Sequence, residues 1–269
     1  MVRLADWLKR AKTEIDSLDA ELIAVHALNF KDRTEVVLNE NKDYDTSKLD
    51  VMLARRKTGL PLAYILKKKE FYGRDFYVDQ NVLIPRVETE QIVTAVLNIV
   101  AAEKMLEPTI IDIGTGSGCI PITLKLELKQ RGLGSRVFGT DISKNALEVA
   151  KLNAERLKAG VTFYESDLLT QVEGLPDIMT ANLPYVDVNW DFLSPSLNYE
   201  PALALYAGDG GLKLIKQLFD QISARKIDEK KRFLIIEVDV LQNEAIIKYA
   251  SERGFKLIAY QKYMLGFSY

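Results

Sequence analysis

Two stretches of this 269-residue chain carry residue types at spacings suited to chemistry. The first is Gly114-Thr115-Gly116-Ser117-Gly118, which follows the apolar run Thr109-Ile110-Ile111-Asp112-Ile113 and precedes a helical pattern. Glycines at alternate positions let a backbone bend sharply and approach a ligand closely beside helix amide groups. The spacing is G-x-G-x-G, not the G-x-G-x-x-G whose glycines make room for a pyrophosphate. Asp141 ends the next strand pattern, Val137-Phe138-Gly139-Thr140-Asp141, where a carboxylate can take both hydroxyls of a ribose. Asp167 ends the strand after that and can face an adenine edge. Free ribose hydroxyls without a pyrophosphate niche fit an adenosyl ligand better than NAD.

The second stretch is Asn182-Leu183-Pro184-Tyr185, at the carboxyl end of the apolar run Asp177-Ile178-Met179-Thr180-Ala181. Ligands of open α/β sheets gather at that edge, so the tetrapeptide is expected to face the same crevice as the glycine loop. Asn and Pro also suit a plain turn. The chemical reading is more specific. An amide or aromatic amino nitrogen has a delocalised lone pair and is a poor nucleophile. An Asn side-chain oxygen and a backbone carbonyl, accepting from the same NH2, would hold it where its lone pair is available. The Tyr185 ring can pack over the substrate group or meet a sulfonium cation. Alkylation by a methyl sulfonium is an in-line displacement that alignment can carry without a histidine base. The candidate catalytic set is Asn182 and Tyr185, with Pro184 between them.

Composition narrows the alternatives. The chain has one cysteine, Cys119, and one histidine, His26, which excludes an internal disulfide framework and any Cys/His zinc cage. No metal site is expected. A Ser-His-Asp mechanism would rest on His26 alone, whose place in a helical pattern suits packing. Lys+Arg total 36 against Asp+Glu 38, without the basic surplus usual for proteins that live on phosphate backbones. Hydrophobic residues at 48% can fill a core. Met1 to Asp16 is charged every few residues, and the apolar stretch from Ile92 to Ala102 is interrupted by Thr94 and Asn98. The expectation is a soluble cytoplasmic monomer with no membrane contact.

The elements that must position these residues fall into two textures. Residues 1–68 read as helices only, beginning with an apolar stripe at Leu4, Trp7, Leu8, Ala11 and Ile15. Ser17 opens a second helix, Asp32 to Asn39 forms a third, and Thr46 or Ser47 caps a fourth that Gly59-Leu60-Pro61 ends. Residues 69–86 read as a β-hairpin linker, with aromatic runs around a Gly73-Arg74-Asp75 turn. Residues 87–269 alternate strand and helix, which means a mostly parallel sheet covered on both faces, with a closing pair of strands from Phe255 to Tyr269. Ser143 is the expected cap of the helix that starts at Lys144.

Taken together, the chain resembles class I S-adenosylmethionine methyltransferases and, more narrowly, the release factor glutamine methyltransferase family (HemK/PrmC-like). The resemblance covers nearly the whole chain. It is carried by Asp19-Ala20-Glu21-Leu22, Pro61 to Ile65, Glu70-Phe71-Tyr72-Gly73, and Val82-Leu83-Ile84-Pro85-Arg86-Val87-Glu88-Thr89-Glu90. Asp112 to Gly118, Thr140-Asp141-Ile142-Ser143, Asn182 to Tyr185, Tyr199 to Leu205 and Gly208 to Leu212 complete it. The block at 82–90 discriminates most, because other methyltransferases lack it.

That resemblance implies an α/β fold: a Rossmann-like methyltransferase sheet with an antiparallel closing strand, preceded by a small all-helical domain for substrate recognition. It implies S-adenosyl-L-methionine held by Asp112, Gly114, Thr115, Gly116, Ser117, Gly118, Asp141 and Asn182, with Asp167 and Leu168 near the adenine. S-adenosyl-L-homocysteine would be the product. It further implies that Asn182, Leu183, Pro184 and Tyr185 grip the glutamine of a Gly-Gly-Gln loop in a peptide chain release factor. The family's usual tetrapeptide is Asn-Pro-Pro-Tyr, so Leu183 departs from it, as do Val87 and Lys67, which stand where proline and glycine are usual. Asn-Leu-Pro-Tyr is also common in ribosomal RNA adenine N6-methyltransferases. An adenine N6-methyltransferase on RNA or DNA, a ribosomal-protein glutamine methyltransferase, and a non-catalytic adenosyl-binding module are the competing readings. No stable nucleic-acid partner is expected, the basic clusters Arg55-Arg56-Lys57 and Lys67-Lys68-Lys69 notwithstanding.

Overall fold

The computed structural model describes residues 1–190, 195–225 and 229–269. The chain divides into two compact units. One holds Met1–Lys68 and takes in the 3-10 turn Pro195–Tyr199; the other begins at Lys69 and takes in Glu200–Tyr269.

The smaller unit runs β1 (Val2–Arg3), α1 (Leu4–Glu14), α2 (Ser17–Ala27), α3 (Arg33–Leu38), β2 (Asp43–Tyr44), α4 (Ser47–Lys57) and α5 (Leu62–Leu66). The stripe of α1 packs Leu4, Trp7, Leu8 and Ala11 against Ala20, Ile23 and Ala24 of α2 and Leu49, Met52 and Leu53 of α4. Buried Trp7 keeps its indole hydrogen satisfied by donating to Asp50 at 2.9 Å. The helices begin where the sequence says, with different caps. Asp16, not Ser17, accepts the amide of Leu18 at 2.8 Å. Asp45, not Thr46, accepts the amide of Ser47 at 3.0 Å, because the Thr46 hydroxyl donates instead to Asp50. Pro61 also does more than stop a helix: with φ −53° it precedes the first turn of α5, an element the sequence reading lacks. The pair β1–β2 adds a two-residue antiparallel ladder to the helices. His26 lies partly buried in α2.

The larger unit opens with the hairpin β3 (Lys69–Phe71) and β4 (Arg74–Phe76), then α6 (Glu90–Ala102), β5 (Thr109–Ile113), α7 (Cys119–Gln130), β6 (Arg136–Asp141) and α8 (Lys144–Arg156). It continues with β7 (Thr162–Glu165), β8 (Ile178–Ala181), α9 (Lys213–Ser223), β9 (Phe233–Glu237), α10 (Asn243–Ser251), β10 (Lys256–Gln261) and β11 (Met264–Ser268). The hairpin turn is Tyr72-Gly73, not Gly-Arg-Asp. Both residues have positive φ (52° and 73°), and Arg74 and Asp75 pair in the strand. Two positive φ values give the turn whose twist matches that of the paired strands.

Seven strands form one sheet in the order β10-β11-β9-β8-β5-β6-β7. From β9 to β7 the ladders are parallel; β11 runs antiparallel to β9, and β10 antiparallel to β11. Alternation along the strands assigns the two faces. Ile110, Phe233 and Ile235 pack with α6 and α7, while Ile111, Ile113, Leu234 and Ile236 pack with α9 and α10. The chain passes from β5 outward through β6 and β7, then returns to β8 on the other side of β5. That reversal opens a crevice at the carboxyl ends of β5 and β8. Among the described residues no helix is long and apolar enough to cross a membrane.

Candidate active site

The crevice is a cleft with about 1070 Å³ of unfilled space counted out to its mouth. Residues 114–117 after β5, 141–143 after β6, 166–168 after β7 and 182–184 after β8 form its walls. Asn81, Val82, Leu83, Pro85 and Thr89 close one side, and Pro201, Leu203 and Ala204 also line it. Two of the sequence stretches singled out for chemistry thus meet in one cleft.

The glycine loop is held by the Thr115 amide on the Thr140 carbonyl and the Gly118 amide on the Thr115 carbonyl, both at 2.8 Å. Gly114, Gly116 and Gly118 all have positive φ, at 71°, 54° and 77°. Their surroundings differ. A Cβ on Gly116 would have nothing within 4 Å, so the backbone there presents open space to a ligand. A Cβ on Gly118 would sit 2.9 Å from Ile122 Cδ1 and 3.1 Å from the Ala150 Cβ, which makes that glycine a packing requirement between α7 and α8.

Asp141 accepts the Gly116 amide on Oδ2 and the Ser143 amide on Oδ1, each at 2.9 Å. Burial raises its pKa above the ordinary aspartate value against the pull of the Ser143, Gly116 and Ile142 amides. Each oxygen keeps a lone pair for a ribose hydroxyl. Ser143 caps α8 by accepting the Ala146 amide. Asp167 stands exposed two residues beyond the end of β7, and Leu168, at φ 51°, is buried beside it.

Three residues of the expected set are not on the cleft wall. Gly118 serves helix packing, as above. Asp112 is buried inside β5, where its Oδ1 accepts the Thr180 hydroxyl at 2.6 Å. Burial pushes its carboxyl up to about 7, with the Thr180 and Thr115 hydroxyls pulling back and Asp141 adding to the rise. Tyr185 turns its phenol inward, donating to Glu237 Oε1 at 3.1 Å. Burial and the neighbouring Glu237 charge raise its pKa, so the phenol keeps its proton.

Asn182 lines the cleft and donates Nδ2 to the Thr89 hydroxyl at 3.2 Å. Among the described residues nothing donates to its Oδ1. Leu183, 4% exposed, sends its side chain down into the core beside α9. The exit of the tetrapeptide is pinned by Val186, which donates to Leu205 O at 2.9 Å and accepts from Ala207 at 3.1 Å. Gln242 Nε2 donates to the carbonyls of Tyr185 and Gly210, both at 2.8 Å. A Cβ on Gly211 would fall 1.9 Å from that Tyr185 oxygen, so only glycine allows this approach.

Two family descriptions match the chain: PrmC N-terminal domain over residues 3–66 and Methyltransferase small domain over residues 92–191. The chain is 39% identical over 222 residues to the release factor glutamine methyltransferase of Koribacter versatilis (strain Ellin345), spanning 80% of this chain and 77% of that one. It is 33% identical over 240 residues to the release factor glutamine methyltransferase of Bacillus anthracis, spanning 86% and 82%. The chain belongs to the release factor glutamine methyltransferase family. Among solved structures, the hMettl16 catalytic domain in complex with the MAT2A 3′UTR hairpin 6 shares its fold, at TM-score 0.53 and 17% identity over 81% of each chain.

Within this release factor glutamine methyltransferase fold, sequence reasoning missed several residues around the cleft. Asn153 of α8 is buried and holds the chain after the hairpin to the glycine loop. It accepts the Tyr77 amide at 2.7 Å and donates to the Tyr77 and Ser117 carbonyls, each at 2.9 Å. Glu200 is buried and accepts from the Ile84 amide at 2.9 Å and from Arg86 at 2.5 Å, tying the 82–90 block to the segment that carries Pro201 and Leu203. A lone polar residue on an otherwise apolar face was the available signal for Asn153. For Glu200 it was its position inside a recognised block.

Proposed function

We propose that this protein transfers a methyl group from S-adenosyl-L-methionine to the side-chain amide nitrogen of a glutamine in a peptide chain release factor. The relatives' names supply the substrate class, and the Gly-Gly-Gln loop follows from the same family resemblance. The observation that carries the chemistry is the placing of Asn182, with no donor on its Oδ1, in one cleft with Gly116 and Asp141. The donor set fits the cofactor: an open glycine cradle at Gly116 and a carboxylate at Asp141 with capacity for two hydroxyls.

When bound there, the cofactor supplies an electrophilic methyl on a sulfonium, with S-adenosyl-L-homocysteine left behind. The residues of this chain do the rest. Gly114, Thr115, Gly116 and Ser117 would cradle it, Asp141 would take the ribose, and Asp167 and Leu168 would flank the adenine. Asn182 Oδ1 and the Leu183 carbonyl accept the two hydrogens of the substrate NH2 and fix its plane. Pro184 fixes the chain direction beyond them, and Tyr185 backs the loop from below. The amide nitrogen would attack the methyl carbon as that carbon's bond to sulfur breaks, and the nitrogen's surplus proton would pass to water. Alignment supplies most of the acceleration. The smaller unit, residues 1–68, recognises the protein substrate, which its match to the PrmC N-terminal domain supports. Residues 69–86 link it to the transferase part at 87–269.

The test is methyl transfer from labelled S-adenosyl-L-methionine to a release factor and to its Gln→Ala loop variant. Label on the native factor alone is expected. Equal label on both proteins, or label on RNA instead, contradicts the reading.

A further inference from the structure

We propose that Glu237 is a positioning residue that fixes which end of the Asn182 amide faces the cleft. The proposal rests on the amide-methylation reading above and extends it to a side chain that is not on the cleft wall.

The parallel register sets Ala181 of β8 opposite Ile236 of β9, so Asn182 and Glu237 stand side by side at the carboxyl ends of neighbouring strands. Glu237 is 3% exposed. One of its oxygens accepts the Tyr185 phenol at 3.1 Å, and the other, Oε2, is buried without a hydrogen-bond partner. Thr89 is 2% exposed and its hydroxyl oxygen accepts Asn182 Nδ2 at 3.2 Å. Oε2 of Glu237 has no partner in hydrogen-bond geometry, and the Thr89 hydroxyl is the first of the side-chain donors that draw the Glu237 carboxyl toward its charged form. Burial raises the Glu237 carboxyl above its ordinary value; Thr89, Tyr185 and Asn182 pull it back toward the charged form, against Glu88.

The Glu237 carboxyl accepts the Tyr185 phenol, a hydroxyl accepts and donates, and an amide donates from one end only. The direction of the chain therefore follows from its terminus: Asn182 donates to Thr89, and Thr89 donates to Glu237. Asn182 is left with its acceptor oxygen toward the cleft. Turned round, the amide is almost the same shape but would set NH2 against NH2, two donors facing each other. A carboxylate at the end of the chain thus makes the site accept a glutamine and reject a glutamate.

The test compares Thr89→Val, Thr89→Ser and Glu237→Gln with the wild type in full-length protein. Three quantities are read: kcat with a release factor, binding of S-adenosyl-L-homocysteine, and inhibition by release factors with Gln→Glu or Gln→Ala in the loop. Thr89→Val and Glu237→Gln should lower kcat by about ten- to a hundred-fold, the scale of a slightly misplaced reacting group, with homocysteine-product binding unchanged. Both should also bind the Gln→Glu factor better relative to the Gln→Ala factor, a preference that general loosening would not create. Thr89→Ser keeps the hydroxyl and should behave as wild type. If Glu237→Gln does not fold, the Thr89 pair decides. Equal behaviour of Thr89→Val and Thr89→Ser, with wild-type transfer intact, overturns this proposal alone. Absence of transfer to the release factor by the wild type overturns the underlying reading as well.

Discussion

Leu183 lies so close to Gly114 that its Cδ2 is 2.9 Å from the point a Cβ on Gly114 would occupy. The loop after β8 and the loop after β5 therefore touch, and each limits what the other can be. A proline at position 183 would hold the chain by its fixed φ. Leucine holds it by burial of an apolar side chain against Gly114 and the α9 face of the core.

This contact makes Gly114→Ala doubly unfavourable, through φ at 71° and through collision with Leu183. Positive-φ strain is of order 1–3 kcal/mol and overpacking adds a similar amount. Thermal unfolding should show a loss of about 2–6 kcal/mol for Gly114→Ala. Leu183→Ala alone should lose about 2–5 kcal/mol. The double variant should lose less than the sum, because the collision is gone. Strict additivity would show that the two loops do not press on each other.

Under the proposed function, Asp141 serves cofactor binding and Asn182 serves the transfer step. Asp141→Ala should weaken cofactor binding by about 10- to 150-fold, the equivalent of ~1.5–3 kcal/mol for a lost charged partner. Asn182→Ala should abolish transfer while leaving cofactor binding nearly intact. Calorimetry with S-adenosyl-L-homocysteine, set beside single-turnover rates, separates the two. A variant of Asn182 that turns over near the wild-type rate would remove the amide clamp from the account.

Asp112 gives the protein without added cofactor a pH signature. Its carboxyl is pushed up to about 7 when folded, chiefly by burial, against an ordinary aspartate value near ~3.9 in the unfolded chain. Between those values the folded protein holds a proton that the unfolded chain has released, so stability falls as pH rises from about 4 to about 7. Asp112→Asn is neutral throughout and can still accept the Thr180 hydroxyl. Its melting temperature should gain on the wild type as pH rises from about 4 to about 7, and the gain should level off above that. Melting curves that stay parallel across that range would show that Asp112 does not titrate there.

The parts of the site that were legible in the sequence are those whose physics is local. Thr109–Ile113 reads as a buried strand from its apolar run, and the glycines behind it declare positive φ by their type. Ser143 reads as a cap because capping spans only three residues. What stayed hidden depends on register or distant partners. Glu237 looks like the polar end of an apolar strand, and only the alignment of β9 with β8 brings it beside Asn182. Gln242 and Gly211 acquire meaning through the Tyr185 carbonyl, far away in sequence. The hairpin turn falls at Tyr72-Gly73 rather than Gly73-Arg74-Asp75 because Tyr72 adopts a positive φ that its residue type does not advertise.

The central claim is that a glutamine amide nitrogen, held at Asn182, receives the methyl group. Mass spectrometry of a release factor after incubation with the protein and S-adenosyl-L-methionine tests this most directly. The account predicts one added methyl on the side-chain nitrogen of the loop glutamine, absent when the protein carries Asn182→Ala. A methyl group on any other residue, or on adenine of added RNA with the release factor unmodified, would contradict it.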